Sequence, residues 1–414
     1  MALRVLHVLD HSCPVLDGYS QRSRSIVNTQ KQLGIGPTIV TSPLHQRDDP
    51  AASDTSLEGI PCFRTFTNRG ISHQAIRGRW PILGELGVVA LLRRRIDKML
   101  DSGLFDIVHA HSPCLCGLAA WLASRPRRVP FVYEIRSFWE DSDLDPNRNI
   151  LKRLRYQTAR KLETFVISRA DAVVGIAGSI LQELESRGVP RDKLFHVPNG
   201  VDLERFTPRP RDLLLATKFG VDSIPTLGFI GTLFPWEGVS WLVEAVSQLY
   251  RDGSRFKLLI VGDGAEGSAV RKKIQNNGGG AYVSFLGRVD NKEIERYYSL
   301  MDIMVYPRLS SRITELVTPL KPLEAMALSK AVLGSAVGGI RELIEPEISG
   351  MLFQPGDIAD FCRQASRLLQ EPGLRRALGE RARQKMIGEK AWEIAVGRYE
   401  TVYEAAIRNS RACM

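Results

Sequence analysis

Cysteine is scarce in this 414-residue chain, with six residues, Cys13, Cys62, Cys114, Cys116, Cys362 and Cys413, scattered apart from Cys114-Leu115-Cys116. Structural metal sites usually need two spaced Cys pairs or histidines at ligand spacing, and neither pattern is evident, so no bound metal is expected. The thiols read as inert groups of a reducing cytosol. No run of about 18 apolar residues occurs, so no membrane-spanning helix is expected. The first residues break their apolar run with Arg4 and His7, unlike a signal peptide. A zinc-finger pattern, an aromatic RNA-binding motif and a helix-turn-helix pattern are all lacking. Collagen-like, low-complexity and small disulfide-framework classes are excluded by composition.

What is present is ordinary for a soluble globular enzyme: 44% hydrophobic and 25% charged residues, with length for two or three domains. The formal net charge is +10 and the pI about 9.4. Such a balance suits an anionic partner, whether nucleic acid, acidic membrane or phosphorylated ligand. With no nucleic-acid motif, the second and third remain. Two segments carry much of the excess. Residues 77–100 hold six basic and two acidic side chains, and residues 148–161 hold Arg148, Lys152, Arg153, Arg155, Arg160 and Lys161 with no acid. Within the first, Pro81–Leu100 is apolar along one face, with Arg93, Arg94, Arg95 and Lys98 at one end and Trp80 just before it. This pattern suits either a solvated basic helix end or contact with an anionic membrane surface.

Short apolar runs alternate with amphipathic stretches. Arg4–Asp10, Pro37–Thr41, Ile107–Ala110, Pro130–Glu134 and Asp171–Gly175 read as buried strands, with helices such as Ser20–Leu33 and Leu151–Ser168 between them. The rhythm restarts with Pro225–Gly231, Lys257–Gly262, Tyr282–Leu286, Ile303–Tyr306 and Ala331–Gly334, separated by helical stretches. The fold class is therefore α/β, with two Rossmann-like doubly wound domains at residues 1–203 and 204–388. Residues 389–414 read as a C-terminal helix returning to the first domain. Ligands of such sheets bind beyond the carboxyl ends of the strands, so two sheets facing across a cleft would enclose the site.

Candidate chemistry follows that geometry. In Ser310–Lys330 a polar loop with Thr318-Pro319 leads into a helix bearing Lys321 and Glu324. A helix start and a lysine suit a phosphate, and a carboxylate one turn on suits vicinal hydroxyls. The alternative is a capped helix with a surface Lys–Glu pair. Asp17-Gly18-Tyr19-Ser20 opens the first helix, where one glycine permits close backbone approach, although it is no full glycine-rich motif. Arg22 and Arg24 on that helix read as solvated. His109 and His111 share one side of their strand, His111 nearer the carboxyl end. Tyr133–Asp141 ends another strand with Glu134, Arg136, Phe138, Trp139, Glu140 and Asp141, residue types that suit carbohydrate or phosphate recognition.

Several segments resemble glycosyltransferase family 4, retaining enzymes of the two-domain GT-B class. They are Glu324-Ala325-Met326-Ala327, Gly338–Ile344, Pro198–Asp202, Phe229–Gly231, Val261–Gly264, Phe285–Val289 and Gly350–Asp357, in the family's order. His7–His11, Tyr133–Asp141 and Leu316–Ala327 resemble a bacterial subgroup associated with exosortase and exopolysaccharide gene clusters. The resemblance implies a nucleotide-diphosphate sugar, UDP- or GDP-linked, held mainly by the second domain. Glu324 would bind ribose, Leu286, Gly287 and Arg288 would meet the base, and Thr318 and Pro319 would hold the diphosphate. Gly231 and Thr232 would border it, and Gly18 would face it. His111 would bond the sugar near C6. Tyr19, Arg136, Trp139 and Glu140 would lie on the side of a glycan, lipid-linked or small-molecule acceptor.

Two departures stand out. Family members usually carry Arg and Lys after the Gly231 strand, where this chain has Thr232 and Glu237. Compensating charge would come from Lys321, then Arg308 and Arg312. The usual Glu-x7-Glu pair is incomplete, because Leu316 stands eight residues before Glu324 and the nearest carboxylate is Glu315. Backbone groups near 316–318 would then meet the sugar. The implied reaction is a metal-independent, cofactor-free transfer with retention, by same-face attack, with His111 and Lys321 as catalytic groups. It would run in the cytoplasm, at the inner membrane face if the basic segments touch lipid. A non-catalytic sugar-nucleotide binder, or an epimerase or hydrolase on the same plan, is the alternative.

Overall fold

The computed structural model describes residues 2–15, 17–45, 54–65, 81–142 and 150–412. Arg77, Arg79, Trp80 and Arg148 of the two basic segments, and Cys413, lie outside them. The chain forms two compact units, one of residues 1–198 with 392–414 and one of residues 199–391.

In the first unit, the described residues build an eight-stranded sheet. Its strands are β1 (Arg4–Leu9), β2 (Gly36–Thr41), β3 (Asp54–Leu57), β4 (Ile60–Arg64), β5 (Ile107–His111), β6 (Phe131–Ile135), β7 (Ala172–Gly175) and β8 (Leu194–His196), in the order β3-β4-β2-β1-β5-β6-β7-β8. All neighbours are parallel except the edge pair β3–β4. Strands β5, β6 and β7 are buried along their whole length, as a parallel sheet with helices on both faces requires. The second unit has a wholly parallel six-stranded sheet: β9 (Thr226–Ile230), β10 (Lys257–Val261), β11 (Val283–Gly287), β12 (Ile303–Tyr306), β13 (Ala331–Ser335) and β14 (Met351–Phe353). Its order is β11-β10-β9-β12-β13-β14.

The expected strands are thus present, with ends shifted by a residue or so. The unit breaks fall at 198/199 and 391/392, not 203/204 and 388/389, and local bonds account for the shift. The Asn199 amide donates to the Thr318 carbonyl at 2.8 Å, and the Val201 N–H donates to the Lys390 carbonyl at 2.8 Å. These residues are bonded into the second unit. The last helices, Trp392–Gly397 and Tyr399–Ala412, pack in the first unit. No helix among the described residues is long and apolar enough to cross a membrane.

Candidate active site

In the second unit the chain leaves β9 toward β10 and β11, then returns to place β12 on the other side of β9. The crevice beyond β9 and β12 is therefore the switch point at which doubly wound sheets bind ligands. Glycines let the strand ends close around it. Gly262 has φ +131°, and a Cβ there would lie 1.8 Å from the Gly231 carbonyl oxygen. Gly238 has φ +70°, and a Cβ would lie 2.1 Å from the Pro307 carbonyl oxygen. The turn 234–238 thus packs directly on the segment after β12. Thr232 is exposed at the start of this turn.

Arg308 is buried behind that turn, only 3% exposed. Its Nη1 donates to the Val317 carbonyl at 3.0 Å, and its Nε lies 3.3 Å from Glu237 Oε1. Glu324 is buried; the Tyr298 hydroxyl donates to its Oε2 at 2.9 Å. Lys321 Nζ lies 3.3 Å from the same oxygen and is half exposed. Leu286 is half-buried against the core, while Arg288 and Arg312 are exposed. Gly287 turns the chain at φ +71°, and its carbonyl accepts from the Gly262 N–H at 2.8 Å.

The expected helix at Thr318-Pro319 begins later, at Lys321, and spans only Lys321–Ala327. A residue before proline avoids the helical region, and Thr318 accordingly stays outside the helix. Pro319 is half-buried in the same segment. Thr318 is buried, with the Asn199 amide 3.3 Å from its hydroxyl. So short a helix has little dipole to offer, and the fixed charge here comes from Lys321 and Arg308. The stretch read as a polar loop contains a second short helix, Arg312–Leu316, closed by a Ser311–Thr314 capping box. Glu315 is committed locally: Ser310 Oγ donates to Oε1 and the Gly338 N–H to Oε2, both at 2.7 Å. The carbonyls of Val317 and Thr318 already accept from Arg308 and Asn199.

The first unit holds a buried polar network under the ends of β1, β5 and β6. Glu134 is fully buried and accepts from Arg22 Nε at 3.1 Å, Arg136 Nε at 2.9 Å and the Tyr399 hydroxyl. Burial alone would raise its pKa, but the guanidiniums of Arg22 and Arg136 hold the carboxyl well below the usual range. His7, His109 and His111 are equally buried. Desolvation lowers all three imidazoles, His7 to about 4 and His111 to about 3, so they are neutral at pH 7. Their bonds then run in one consistent direction. His7 Nε2 donates to Gln30 at 2.8 Å, His111 Nε2 donates to His7 Nδ1 at 3.0 Å, and Arg136 Nη2 donates to His111 Nδ1 at 2.8 Å. One nitrogen from each ring lies within 4.8 Å of the others, a spacing a metal ion could use. The two adjacent guanidiniums oppose a dication there.

This placement corrects four expectations. Both ring nitrogens of His111 are spent inside the unit, so the side chain has none left for a sugar. Arg136 is interior, donating to the Tyr19 carbonyl at 2.8 Å and to Ser23 Oγ at 2.7 Å beneath the Tyr19 ring. Glu140 is buried against Arg187 at 2.6 Å. Arg22 is a core residue and not a solvated one. It shares the inward helix face with Ile26 and Gln30, a spacing of four that could have revealed it. Trp139 stays half-buried, and its backbone N–H donates to Glu163 at 3.2 Å. Burial pushes the pKa of Glu163 up to about 7.

Sequence reasoning missed Asp10 and His11, just beyond β1. His11 Nδ1 lies 3.0 Å from Asp10, and its Nε2 lies 2.8 Å from Asp17. Asp17 also caps the helix Gly18–Gln32, accepting from the Ser20 N–H at 2.8 Å. The helix start flanked by Gly18 is therefore already occupied by the chain's own carboxylate. The Tyr19 ring lies tilted beside His11 with centroids 4.6 Å apart, and its hydroxyl accepts from the Asp10 N–H at 3.0 Å. Burial would lower the His11 pKa, yet the two carboxylates outweigh it and raise the value from 6.5 to about 9. A raised imidazole stabilises the fold fully below its unfolded pKa and loses that contribution as pH rises through the folded one. The stability difference between wild type and His11→Gln should therefore be largest near pH 6 and shrink toward pH 10 in thermal melts. A difference constant across that range would refute the charged triad.

The family model described as "Glycosyl transferase 4-like domain" matches residues 17–200, and that of "Glycosyl transferases group 1" matches residues 224–371. The chain is 28% identical to the GDP-mannose-dependent alpha-mannosyltransferase of Mycolicibacterium smegmatis, covering 97% of this chain and 98% of that one. It is 28% identical to the N-acetyl-alpha-D-glucosaminyl L-malate synthase of Bacillus anthracis, over 77% of this chain and 80% of the other. Its fold is similar to sucrose-phosphate synthase of Thermosynechococcus elongatus, with TM-score 0.77, 19% identity and coverage of 97% and 98%. It is also similar to Anabaena HepE in complex with UDP, with TM-score 0.74, 18% identity and coverage of 96% and 99%. With one model matching each unit, the chain belongs to the two-domain, group 1 and family-4-like glycosyltransferases.

Proposed function

We propose that the protein transfers a sugar, with retention and without a metal or other cofactor, from a nucleotide-diphosphate sugar to an acceptor hydroxyl. A UDP-sugar is favoured, and a GDP-sugar is the alternative suggested by the mannosyltransferase relatives. The observation that carries the reading is the grouping of Arg308, Lys321 and buried Glu324 at the strand ends of the second sheet. Glu324 accepts two vicinal ribose hydroxyls, and Lys321 and Arg308 meet the diphosphate. Gly231, Thr232 and Gly287 let the backbone come close. Charge developing on the leaving diphosphate is stabilised by these fixed cations, which act more strongly as the bond breaks. The departing phosphate takes the acceptor's proton. His111 acts as a positioning residue, holding Arg136 under Tyr19 and hence the β1 end.

The acceptor is a glycan, a lipid-linked saccharide or a small molecule, in polysaccharide or glycoconjugate synthesis of the exosortase-associated kind. The reaction sits in the cytoplasm at the inner membrane face. The helix Ile150–Arg169 supports this siting, since it exposes Ile150 and Leu154 among its basic residues. The test is mass spectrometry of UDP- and GDP-sugars with and without acceptors, with the new anomeric linkage read by NMR. The expected result is an acceptor-dependent product keeping the donor's anomeric configuration, together with sedimentation on anionic vesicles. Epimerised or hydrolysed donor alone, or tight binding without turnover, would replace transfer with one of the other activities.

A further inference from the structure

The turn after β9 and the segment after β12 meet at one ion pair. Glu237 comes from the first, Arg308 from the second, and their strands flank the switch point. Arg308 is only 3% exposed, whereas the Glu237 side chain is 18% exposed. The guanidinium is anchored on one side by Nη1 on the Val317 carbonyl, and the Arg308 backbone is held by the Ser335 hydroxyl on its carbonyl at 2.6 Å. Its Nε has no hydrogen-bond partner among the described residues, although Glu237 Oε1 lies 3.3 Å away. A buried guanidinium N–H without an aligned acceptor is rare and costly. It lies at the place where a ligand of this sheet would sit. The carboxylate is close enough to neutralise Arg308 but does not complete its bonding.

We propose that Glu237 is a displaceable counter-ion, whose place on Arg308 the donor's diphosphate takes on binding and gives back when the nucleoside diphosphate leaves. This rests on the donor-site reading above and adds a specificity device to it. The ligand class is a nucleoside diphosphate, because a doubly charged phosphate oxygen set can out-compete one carboxylate for the guanidinium fork. In the empty site the pair is neutral overall, so nucleotide is attracted only as the pair opens. The leaving diphosphate, for its part, is opposed by a carboxylate poised to return. Glu237 thereby lowers affinity for donor and product alike and favours product release.

The test is calorimetric titration of the full chain with UDP and GDP, and with UMP and GMP as comparators, for wild type, Glu237→Gln and Glu237→Lys. Glu237 is partly exposed and glutamine is isosteric, so folding is expected to be retained and is checked by melting. Removing the competing charge should tighten diphosphate binding about tenfold in Glu237→Gln. Tightening should be greater in Glu237→Lys and stay within about twofold for the monophosphates. The KM for the nucleotide sugar should fall in parallel, with kcat unchanged or lower. Diphosphate affinity unchanged in both variants, with wild type still binding nucleotide, would overturn the counter-ion role and leave the donor site standing. Failure of wild type and both variants to bind any of the four nucleotides would remove the donor-site reading itself.

Discussion

Lys321→Ala is expected to lower kcat/KM for sugar transfer by about 10²–10³ while leaving the melting curve nearly unchanged. The side chain is half exposed, and its ammonium pairs with the Glu324 carboxylate, so folding loses little. Transfer loses a fixed cation at the point where the leaving group gains charge. Glu324→Ala should be equally inactive, but it also strands the Tyr298 hydroxyl, which donates to Glu324 at 2.9 Å. An unsatisfied buried group of that kind costs about 1–3 kcal/mol. Glu324→Gln separates the two effects, since the amide oxygen still accepts from Tyr298 while the anionic partner for a hydroxyl pair is gone. Near-normal turnover in Lys321→Ala and Glu324→Gln would contradict the assignment.

Glu134→Ala is expected to be the most destabilising single change in the first unit. It leaves Arg22 and Arg136, 2% and 6% exposed, without their shared carboxylate. Breaking a buried pair from one side costs about 3–5 kcal/mol, because the remaining charge stays desolvated. For a unit of this size that is a fall in Tm of roughly 10 °C. Glu134→Gln keeps an acceptor for Tyr399 and should fall between the two. Glu58→Ala is the matched surface control. It removes the partner of Arg24 at an exposed site and should cost under about 1 kcal/mol. A Glu134→Ala protein that melts within about 2 °C of wild type would show the network to be dispensable.

Central strands were legible because burial on both faces leaves continuous apolar runs, such as Lys257–Val261 and Ala331–Ser335. The edge strands Asp54–Leu57 and Leu194–His196 were not, since one is polar and the other has three half-buried residues. Lys321 and Glu324 could be found because their spacing is local. Glu237 could be found only as a departure from a pattern and Arg308 only as a spare cation, while their pairing could not, because it depends on which strands become neighbours. His111 shows the limit most clearly. Alternation placed it on the correct side of β5, but its availability depends on His7 and Arg136, far away in the chain. Arg22 was misjudged for the same reason, its carboxylate being 112 positions on.

The first unit takes its final helix from the far end of the chain. Tyr399 donates to Glu134, and the Tyr403 hydroxyl lies 2.7 Å from the Gln30 amide nitrogen and 3.0 Å from His109 Nδ1. During synthesis, residues 1–198 leave the ribosome without these two phenols, and all of residues 199–391 must follow before they arrive. At ordinary elongation speeds that delay is on the order of ten seconds or more. Throughout it, a carboxylate, two guanidiniums and three imidazoles wait under an unfinished roof. The newborn N-terminal half is thus a natural client for chaperones, and a ribosome stalled before Trp392 would release a half whose charged interior had never been closed.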